Sequence, residues 1–147
     1  MAAVPKCVAL MICGNVHQEL DGNLSLISLF DQVTPAYFPW PLRFVVYALF
    51  TNAHGPFPAR FRLVHARDAI GDPNAPCLTH AAGTIEPPEP DPLAWHSATV
   101  LMQAHLREAG DYHVAAFAAG ECIATRRIRV FEPPEPPPTE GGPDRGA

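Results

Sequence analysis

The apolar residues of this chain fall in short runs that are separated by Gly, Pro, Asn and Asp. The run Leu42–Phe50 is the clearest, because its apolar side chains alternate with residues that point to the opposite face, as in a β-strand. Several short strands divided by turn residues are typical of an all-β, antiparallel β-sandwich, here of seven or eight strands. The predicted strands are Cys7–Val16, Leu24–Phe30, Leu42–Phe50, Phe57–Ala66, Cys77–Ile85, Trp95–Leu106, Tyr112–Ala118 and Cys122–Val130.

The stretch Trp95–Leu106 fits two patterns. A helix capped by Ser97 would account for part of its apolar spacing. Strict alternation along the same stretch, starting at His96, fits a strand instead. We expect the strand, because an eight-stranded sandwich has to supply a partner for Tyr112–Ala118.

Aromatic residues are concentrated in a proline-rich segment between two predicted strands. Three prolines alternate with three aromatics in residues 33–41, which excludes a central strand and predicts a crossover loop. Because prolines restrict the backbone, the loop would present Tyr37, Phe38 and Trp40 to a partner at low entropic cost. The same side chains would equally plug the open end of a sandwich. Trp95 follows a second proline segment and is a fourth candidate binding residue.

Length and composition indicate one domain followed by a tail. At 147 residues and 48% hydrophobic content, the chain can bury a core without disulfides or metal ions. We expect residues 1–131 to form the sandwich domain. Residues 132–147 would form a disordered, acidic, Pro/Gly-rich tail, because such a segment buries too little apolar surface to order itself. The proline spacing in this tail fits a polyproline II ligand, and an inert tail explains it equally.

Charge and hydropathy argue against nucleic-acid and membrane partners. The formal net charge of -5 disfavours a surface that binds phosphates. No apolar stretch reaches the length of about 18 residues that spans a bilayer, and the first apolar run is too short for a signal peptide. The four cysteines form no C-x-x-C motif. We therefore expect reduced thiols in a cytoplasmic protein.

A short motif before the last hairpin predicts a structural corner. The spacing from Leu106 through Ala109 and Gly110 to Tyr112 is similar to the tyrosine corner of immunoglobulin-like and fibronectin-like sandwiches. In those domains a buried tyrosine hydroxyl bonds to the backbone upstream. Val114 stands where immunoglobulin domains have a cysteine, so no disulfide between the sheets is implied. The resemblance implies an immunoglobulin-like end to the fold.

Over residues 6–131 the chain resembles an uncharacterised bacterial family of small cytoplasmic β-sandwich proteins. The resemblance rests on three segments: Leu24–Asp31 after an Asp-Gly turn, the proline-aromatic loop before Leu42, and Glu108–Tyr112 with its closing hairpin. These motifs are structural rather than catalytic. The resemblance therefore implies a fold together with an unknown function, and it carries no activity over to this chain.

Two features bear on metal binding. The seven histidines show neither H-x-H nor H-x-x-x-H spacing, and none lies beside a C-x-x-C motif. Asp68, Asp72 and Asn74 place three oxygen ligands in one loop, which we expect at an end of the sandwich, where C2-like domains hold calcium. Turn formation accounts for the same three residues equally well.

No motif assigns a catalytic mechanism. The chain contains neither a G-x-S-x-G elbow nor a Gly-rich phosphate loop. Each cysteine lies in or beside an apolar predicted strand, where a thiol is not activated. The sequence favours a protein without enzymatic activity, and no cofactor is expected.

Two classes of function therefore remain. The first is a non-catalytic binding or scaffold module for another protein, engaged through the Tyr37–Trp40 loop or an edge strand; a homodimer through an edge strand is a related expectation. The alternative is a metal- or ligand-dependent enzyme, or a calcium-binding C2-like domain, that uses the Asp68–Asn74 loop. A second candidate surface consists of arginines whose alternation predicts solvated strand faces. These are Arg60, Arg62, Arg127 and Arg129.

Overall fold

The computed structural model describes residues 4–87 and 91–135, and within these residues the regular secondary structure consists of nine β-strands. In this part of the chain there is no helix long and apolar enough to cross a bilayer. The strands are β1 Lys6–Gln18, β2 Leu24–Leu29, β3 Gln32–Val33, β4 Trp40–Thr51, β5 Phe57–His65, β6 Thr79–Ile85, β7 His96–Leu106, β8 Gly110–Ala118 and β9 Glu121–Val130.

The strands form two sheets that face each other. The four-stranded sheet has the order β2-β1-β4-β7, and the five-stranded sheet has the order β3-β9-β8-β5-β6. Every pairing is antiparallel except that of β3 with the end of β9. The prediction of an all-β, immunoglobulin-like sandwich is confirmed. The eight longer strands correspond to the eight predicted ones, and β3 adds two residues that the sequence does not predict.

The core lies between the sheets because alternate residues of each strand point inward. In β4 the inward residues Phe44, Val46 and Phe50 are completely buried, and the Phe50 ring packs edge-on against Phe57 with centroids 5.3 Å apart. Burying one such side chain stabilises the fold by about 1.5–3 kcal/mol. The core also takes buried residues from the neighbouring strands: Leu10, Ile12, Phe61, Leu63, Met102, Leu106, Val114, Ala116, Ile128 and Val130.

The stretch that fitted both a helix and a strand is a strand. β7 pairs with β4 along its whole length, from the pair Trp40–Leu106 to the pair Phe50–His96. Without this pairing, the inward residues of β4 would lack neighbours on one side. The strand prediction is confirmed.

The pairing of β4 with β7 defines the two ends of the sandwich. One end, here the corner end, holds Trp40, Leu106 and the first residue of β8. The other, here the hairpin end, holds Phe50, His96 and the turn between β8 and β9. The eleven residues of β7 separate these ends by about 35 Å, at about 3.3 Å per residue.

The two flanks of the sandwich differ in their edge strands. On one flank, here the open flank, β7 is the edge of the four-stranded sheet and β6 is the edge of the five-stranded sheet. These two edges lie opposite each other. On the other flank the edges are the six-residue β2 and the two-residue β3.

The predicted tail lies mostly outside the described residues. Residues 131–135 follow β9 without regular secondary structure. Residues 136–147, to which most of the prediction of a disordered tail applies, are outside the described part of the chain. The prediction of a polyproline II ligand there stays a prediction.

Candidate binding surfaces

Gly110 and Tyr112 have the geometry of a tyrosine corner. Tyr112 is only 2% exposed, and its hydroxyl donates a 2.7 Å hydrogen bond to the carbonyl oxygen of Glu108. The Tyr112 ring packs edge-on against His65, with centroids 4.8 Å apart. Gly110 has a φ of +142°, and a Cβ at this position would lie 3.2 Å from Nε2 of His65. Both observations favour glycine, and they assign the motif a structural role.

The electrostatic surroundings keep the corner hydroxyl protonated. Burial raises the pKa of Tyr112, and the negative charge of Glu108 raises it further. Arg67 and the hydrogen bond to the backbone act in the opposite direction with smaller effect. The Tyr112 hydroxyl therefore remains a donor at neutral pH.

A cleft of about 480 Å³ opens beside this corner, between the end of β7 and the segment that follows β5. Arg67 forms an ion pair with Glu108, and Nε2 of His65 lies 3.1 Å from the same carboxylate without forming a hydrogen bond. Nδ1 of His65 accepts the backbone N–H of Arg67, so the neutral ring carries its proton on Nε2. Glu108 is thus paired with Arg67 and lies beside the His65 ring. Other polar residues of the lining are Asp68, Cys77, Gln103, His105 and Arg107.

The cleft does not assemble a metal centre. Across residues 4–87 and 91–135, no group of three or more His, Cys, Asp or Glu side chains is placed to hold a metal ion. The cleft mixes two arginines with two carboxylates, one of which is already paired. We interpret it as polar support for the corner.

The aromatic candidates fall at opposite ends of the sandwich. At the corner end, Phe38 and Trp40 are half-buried and pack against the core, whereas Tyr37 is 57% exposed. The Tyr37 ring meets Trp40 edge-on, with centroids 5.2 Å apart. Trp95, which is 65% exposed, precedes β7 at the hairpin end. Tyr37 and Trp95 therefore cannot belong to one compact site.

The loop that contains Asp68, Asp72 and Asn74 does not stay at an end of the sandwich, and that expectation is wrong. Only Asp68 lies at the corner end, where it lines the cleft. The rest of the loop folds back over the outer face of the five-stranded sheet. Nη1 of Arg62 donates a 2.7 Å hydrogen bond to the carbonyl oxygen of Asp72, and Nη2 donates to that of Ala75. These bonds hold the loop against the sheet.

Arg62 is consequently buried, with an exposed fraction of 2%, and the prediction that it faces solvent is wrong. The sequence places it correctly on the outer face of β5, but the loop covers that face. Asp72 uses its carboxylate within the loop, where Oδ1 accepts the backbone N–H of Asn74 at 2.8 Å. This is turn chemistry, and a guanidinium beneath the loop opposes a divalent cation there. The geometry favours a structural role for Asp72 and Asn74.

The edge strand β6 lies between two apolar grooves. Its seven residues carry no charge and no proline, and its pairing with β5 shows no register shift. Natural edge strands are ordinarily protected against pairing with other chains by a charged side chain, a proline or a β-bulge. The outer groove, of about 530 Å³, is mainly apolar and is lined by Pro58, Pro73, Ala82 and Phe117 among others, with Arg60 as its one charged residue. The seam groove, of about 210 Å³, lies between β6 and β7 and is lined by Phe61, Ala81, Ile85, Ala98 and Val100 among others.

Sequence reasoning did not find this surface. The absence of charge and proline in β6 is visible in the sequence. That β6 is an edge is visible only in the order of the strands, which depends on contacts between residues far apart in the chain.

The model of a family of unknown function, DUF6941, matches residues 8–131. The chain belongs to the DUF6941 family. No curated protein is similar enough in sequence to serve as a relative. The match covers all nine strands apart from the first two residues of β1, so family membership applies to the sandwich as a whole.

Three solved structures are similar to this DUF6941 member in fold. An alkylpurine DNA glycosylase of Pseudomonas fluorescens bound to DNA has a TM-score of 0.44 and 10% identity, over 86% of this chain and 30% of the glycosylase chain. This chain therefore spans less than a third of that enzyme. A CARDB domain from Pyrococcus furiosus in complex with di-metal ions has a TM-score of 0.42 and 11% identity, over 87% and 90% of the two chains. An immunoglobulin-like protein of Pseudomonas aeruginosa has a TM-score of 0.39 and 13% identity, over 88% and 98%.

Three of the four thiols of this DUF6941 member are in surroundings that disfavour the reactive thiolate. The four cysteines are free, and burial raises the pKa of three of them, Cys7, Cys13 and Cys122. Hydrogen bonds from or to the nearby backbone oppose the shift with smaller effect. A thiol with a raised pKa is a poor nucleophile at neutral pH.

His113 makes the stability of the fold depend on pH. Burial lowers its pKa; Asp111 opposes this shift and Arg127 reinforces it. The unfolded chain therefore binds this proton more tightly than the folded chain does. His113 contributes stability that is fully present above pH about 6.5 and is lost as the pH falls through its lowered folded pKa.

We expect His113→Gln to lose less unfolding free energy than the wild type between pH about 6.5 and pH about 5. Urea denaturation at several pH values measures the difference. His17→Gln is the matched control, because the His17 side chain is 63% exposed. Parallel pH profiles for the wild type and His113→Gln would contradict the assignment.

Proposed function

We propose that this domain is a non-catalytic binding module whose partner is an extended segment of another protein, added as a strand to the free edge of β6. The observation that carries the proposal is the combination of an unprotected, regular edge with an apolar groove on each of its faces. In strand addition, main-chain hydrogen bonds supply affinity and grooves for alternate side chains supply specificity.

The two grooves define the chemistry of the partner segment. Successive side chains of an added strand point to opposite faces, so one set would enter the seam groove and the other set the outer groove. The seam groove is small and lined by Ala, Val and Ile, so it suits small apolar side chains. The outer groove is larger and is lined in part by Phe117, so it suits a Leu, Phe or Tyr side chain of the partner segment. The segment would be uncharged where it contacts β6.

The remaining features support binding over catalysis. Glu108 is paired, Asp72 caps a turn, and the pKa values of three cysteines are raised. None of these groups is poised as an acid, a base or a nucleophile. The four free thiols support a reducing, cytoplasmic location, and the net charge of -5 supports a protein partner over nucleic acid or an anionic membrane.

A peptide selection tests the proposal directly. Segments of about ten residues, long enough to pair with β6, would be displayed as a library and selected on the folded domain. Enriched peptides would be synthesised, their affinity measured by calorimetry, and the protected amides mapped by hydrogen exchange. We expect uncharged, alternating apolar sequences that protect the amides of β6. They should bind at least about tenfold more weakly to Ala82→Arg, which fills the outer groove.

Thr125→Arg is the control for this variant, because Thr125 is exposed on β9 of the same sheet and lies away from the β6 edge. The proposal fails if no peptide protects β6. Peptides that instead protect the Tyr37–Trp40 loop would transfer the binding function to the corner end of the sandwich.

A further inference from the structure

The open flank carries a second free edge, whose main-chain groups the proposed β6 site does not use. β7 is the edge of the four-stranded sheet, and its eleven residues contain no charge and no proline. Its pairing with β4 is continuous, without a register shift. An edge of about 35 Å without a charge, a proline or a β-bulge is a template on which another strand can pair.

The order of residues in β7 fits a second copy of the same strand. Leu101 is the central residue of the strand, and it is 48% exposed. A two-fold axis at Leu101 pairs β7 with the partner's β7 in antiparallel register over its entire length, so that Leu101 meets its own counterpart. On the outer face the polar Thr99 then lies opposite the partner's Gln103. On the inner face Val100 lies opposite the partner's Met102 and Ala98 opposite its Ala104, so the pairs next to the axis combine residues of the same character. Only the outermost pair, His96 with the partner's Leu106, is mixed.

The outer face of the four-stranded sheet supports the same register. One apolar row crosses its four strands through Leu29, Cys13, Val45 and Leu101. Cys13 and Val45 are buried, and Leu29 and Leu101, at the two ends of the row, are about half exposed. Pairing at Leu101 would join this row to the same row of the partner. It would also cover Leu101, one of the two exposed ends of the row.

Trp95 supplies a contact at each end of the paired strands. The residue before β7 lies opposite the residue after it, which places Trp95 against the partner's Arg107. Trp95 is 65% exposed, and Arg107, at the rim of the cleft, forms no ion pair among the described residues. An arginine over an indole ring is a favourable cation–π pair. The two-fold axis produces this contact twice.

We propose that the domain forms a two-fold symmetric homodimer by antiparallel pairing of β7 with β7, centred on Leu101 and flanked by two Trp95–Arg107 contacts. The product is one continuous eight-stranded sheet. This assembly uses β7, whereas the partner segment proposed above uses β6. Because Ala98 and Val100 of β7 also line the seam groove, the dimer would compete with a strand added to β6. Protection of the β6 amides by a peptide and the concentration dependence of the dimer are separate measurements, so each proposal can still fail without the other.

Analytical ultracentrifugation of the full chain, at concentrations up to about 1 mM, tests the dimer. We expect a reversible monomer–dimer equilibrium. Leu101→Arg, which would set two like charges against each other, should raise the dissociation constant at least about tenfold. Trp95→Ala should raise it by about threefold to thirtyfold. Leu29→Arg is the matched control, because Leu29 is equally exposed in the same row on the opposite edge strand.

Cysteine cross-linking gives a second measurement that does not depend on a destabilising change. Opposed residues of antiparallel strands are about 4.5–5.5 Å apart at Cα, within the range that a disulfide bridges. Leu101→Cys should give a covalent dimer under mild oxidation. Ile27→Cys should not; Ile27 is 45% exposed on β2 and pairs with Asn15, so it has no cysteine opposite it in its own chain. A wild type that stays monomeric at every concentration refutes the dimer. A dimer that Leu101→Arg leaves intact, or that Ile27→Cys cross-links equally well, refutes the β7 interface.

Discussion

Replacing Arg62 with methionine is expected to lower the free energy of unfolding by about 2–4 kcal/mol. Methionine keeps much of the apolar stem but removes the guanidinium that donates to the carbonyl oxygens of Asp72 and Ala75. Both carbonyl oxygens would then lack a hydrogen-bond donor, and a buried unpaired acceptor costs about 1–3 kcal/mol. Urea denaturation of the wild type and of Arg62→Met measures the difference.

The same substitution should also loosen the loop that Arg62 contacts. Hydrogen exchange should accelerate in residues 69–75, which the arginine holds against the sheet. Arg126→Met is the matched control, because Arg126 is exposed on β9 and should change stability by less than about 0.5 kcal/mol. If exchange in the loop is the same in both variants, the loop does not depend on Arg62.

Substitution of Gly110 by valine is expected to lower the free energy of unfolding by about 2–4 kcal/mol, for two reasons that add. A φ of +142° is a conformation that a β-branched residue adopts only under strain. The new Cβ would also lie 3.2 Å from Nε2 of His65, whose ring is already held between Tyr112 and Glu108. The ring would have to move, and the packing of the corner would move with it.

Gly83→Val separates these effects from the loss of a glycine as such. Gly83 lies in β6, where a Cβ meets nothing within 4 Å and φ lies outside the left-handed region. Valine there should be neutral or stabilising, because it favours the strand. Thermal and chemical denaturation of both variants tests the contrast. Equal losses of stability at the two positions would show that the corner does not require glycine at position 110.

The strands could be predicted from the sequence because their signal is local. The alternation in Leu42–Phe50 and the turn residues that bound each run lie within a few positions of one another. The corner at Gly110 and Tyr112 was found for the same reason, since its hydrogen bond joins residues four apart. The prediction that Trp95–Leu106 is a strand needed only one further step, a count of the partners that a sandwich requires.

The surfaces could not be predicted, because their positions depend on contacts between distant residues. Nothing near Arg62 indicates that a loop ten residues later will return and cover it. The β3 strand has only two residues and exists through its pairing with β9, far along the chain. Whether Trp95 shares an end with Trp40 depends on the direction of β7 relative to β4. The identities of the two edges on the open flank follow from the strand order alone.

The unequal flanks limit how far the four-stranded sheet can grow. Its other edge, β2, has only six residues, and Ser28 within it has a φ of 60°, which interrupts the extended backbone. A further chain therefore finds a long regular template on one side of this sheet and a short interrupted one on the other. Pairing through β7 would occupy the only long edge strand that the four-stranded sheet has among the described residues. In the proposed dimer, growth of this sheet would therefore end at a closed pair and would not continue as a ribbon or fibre.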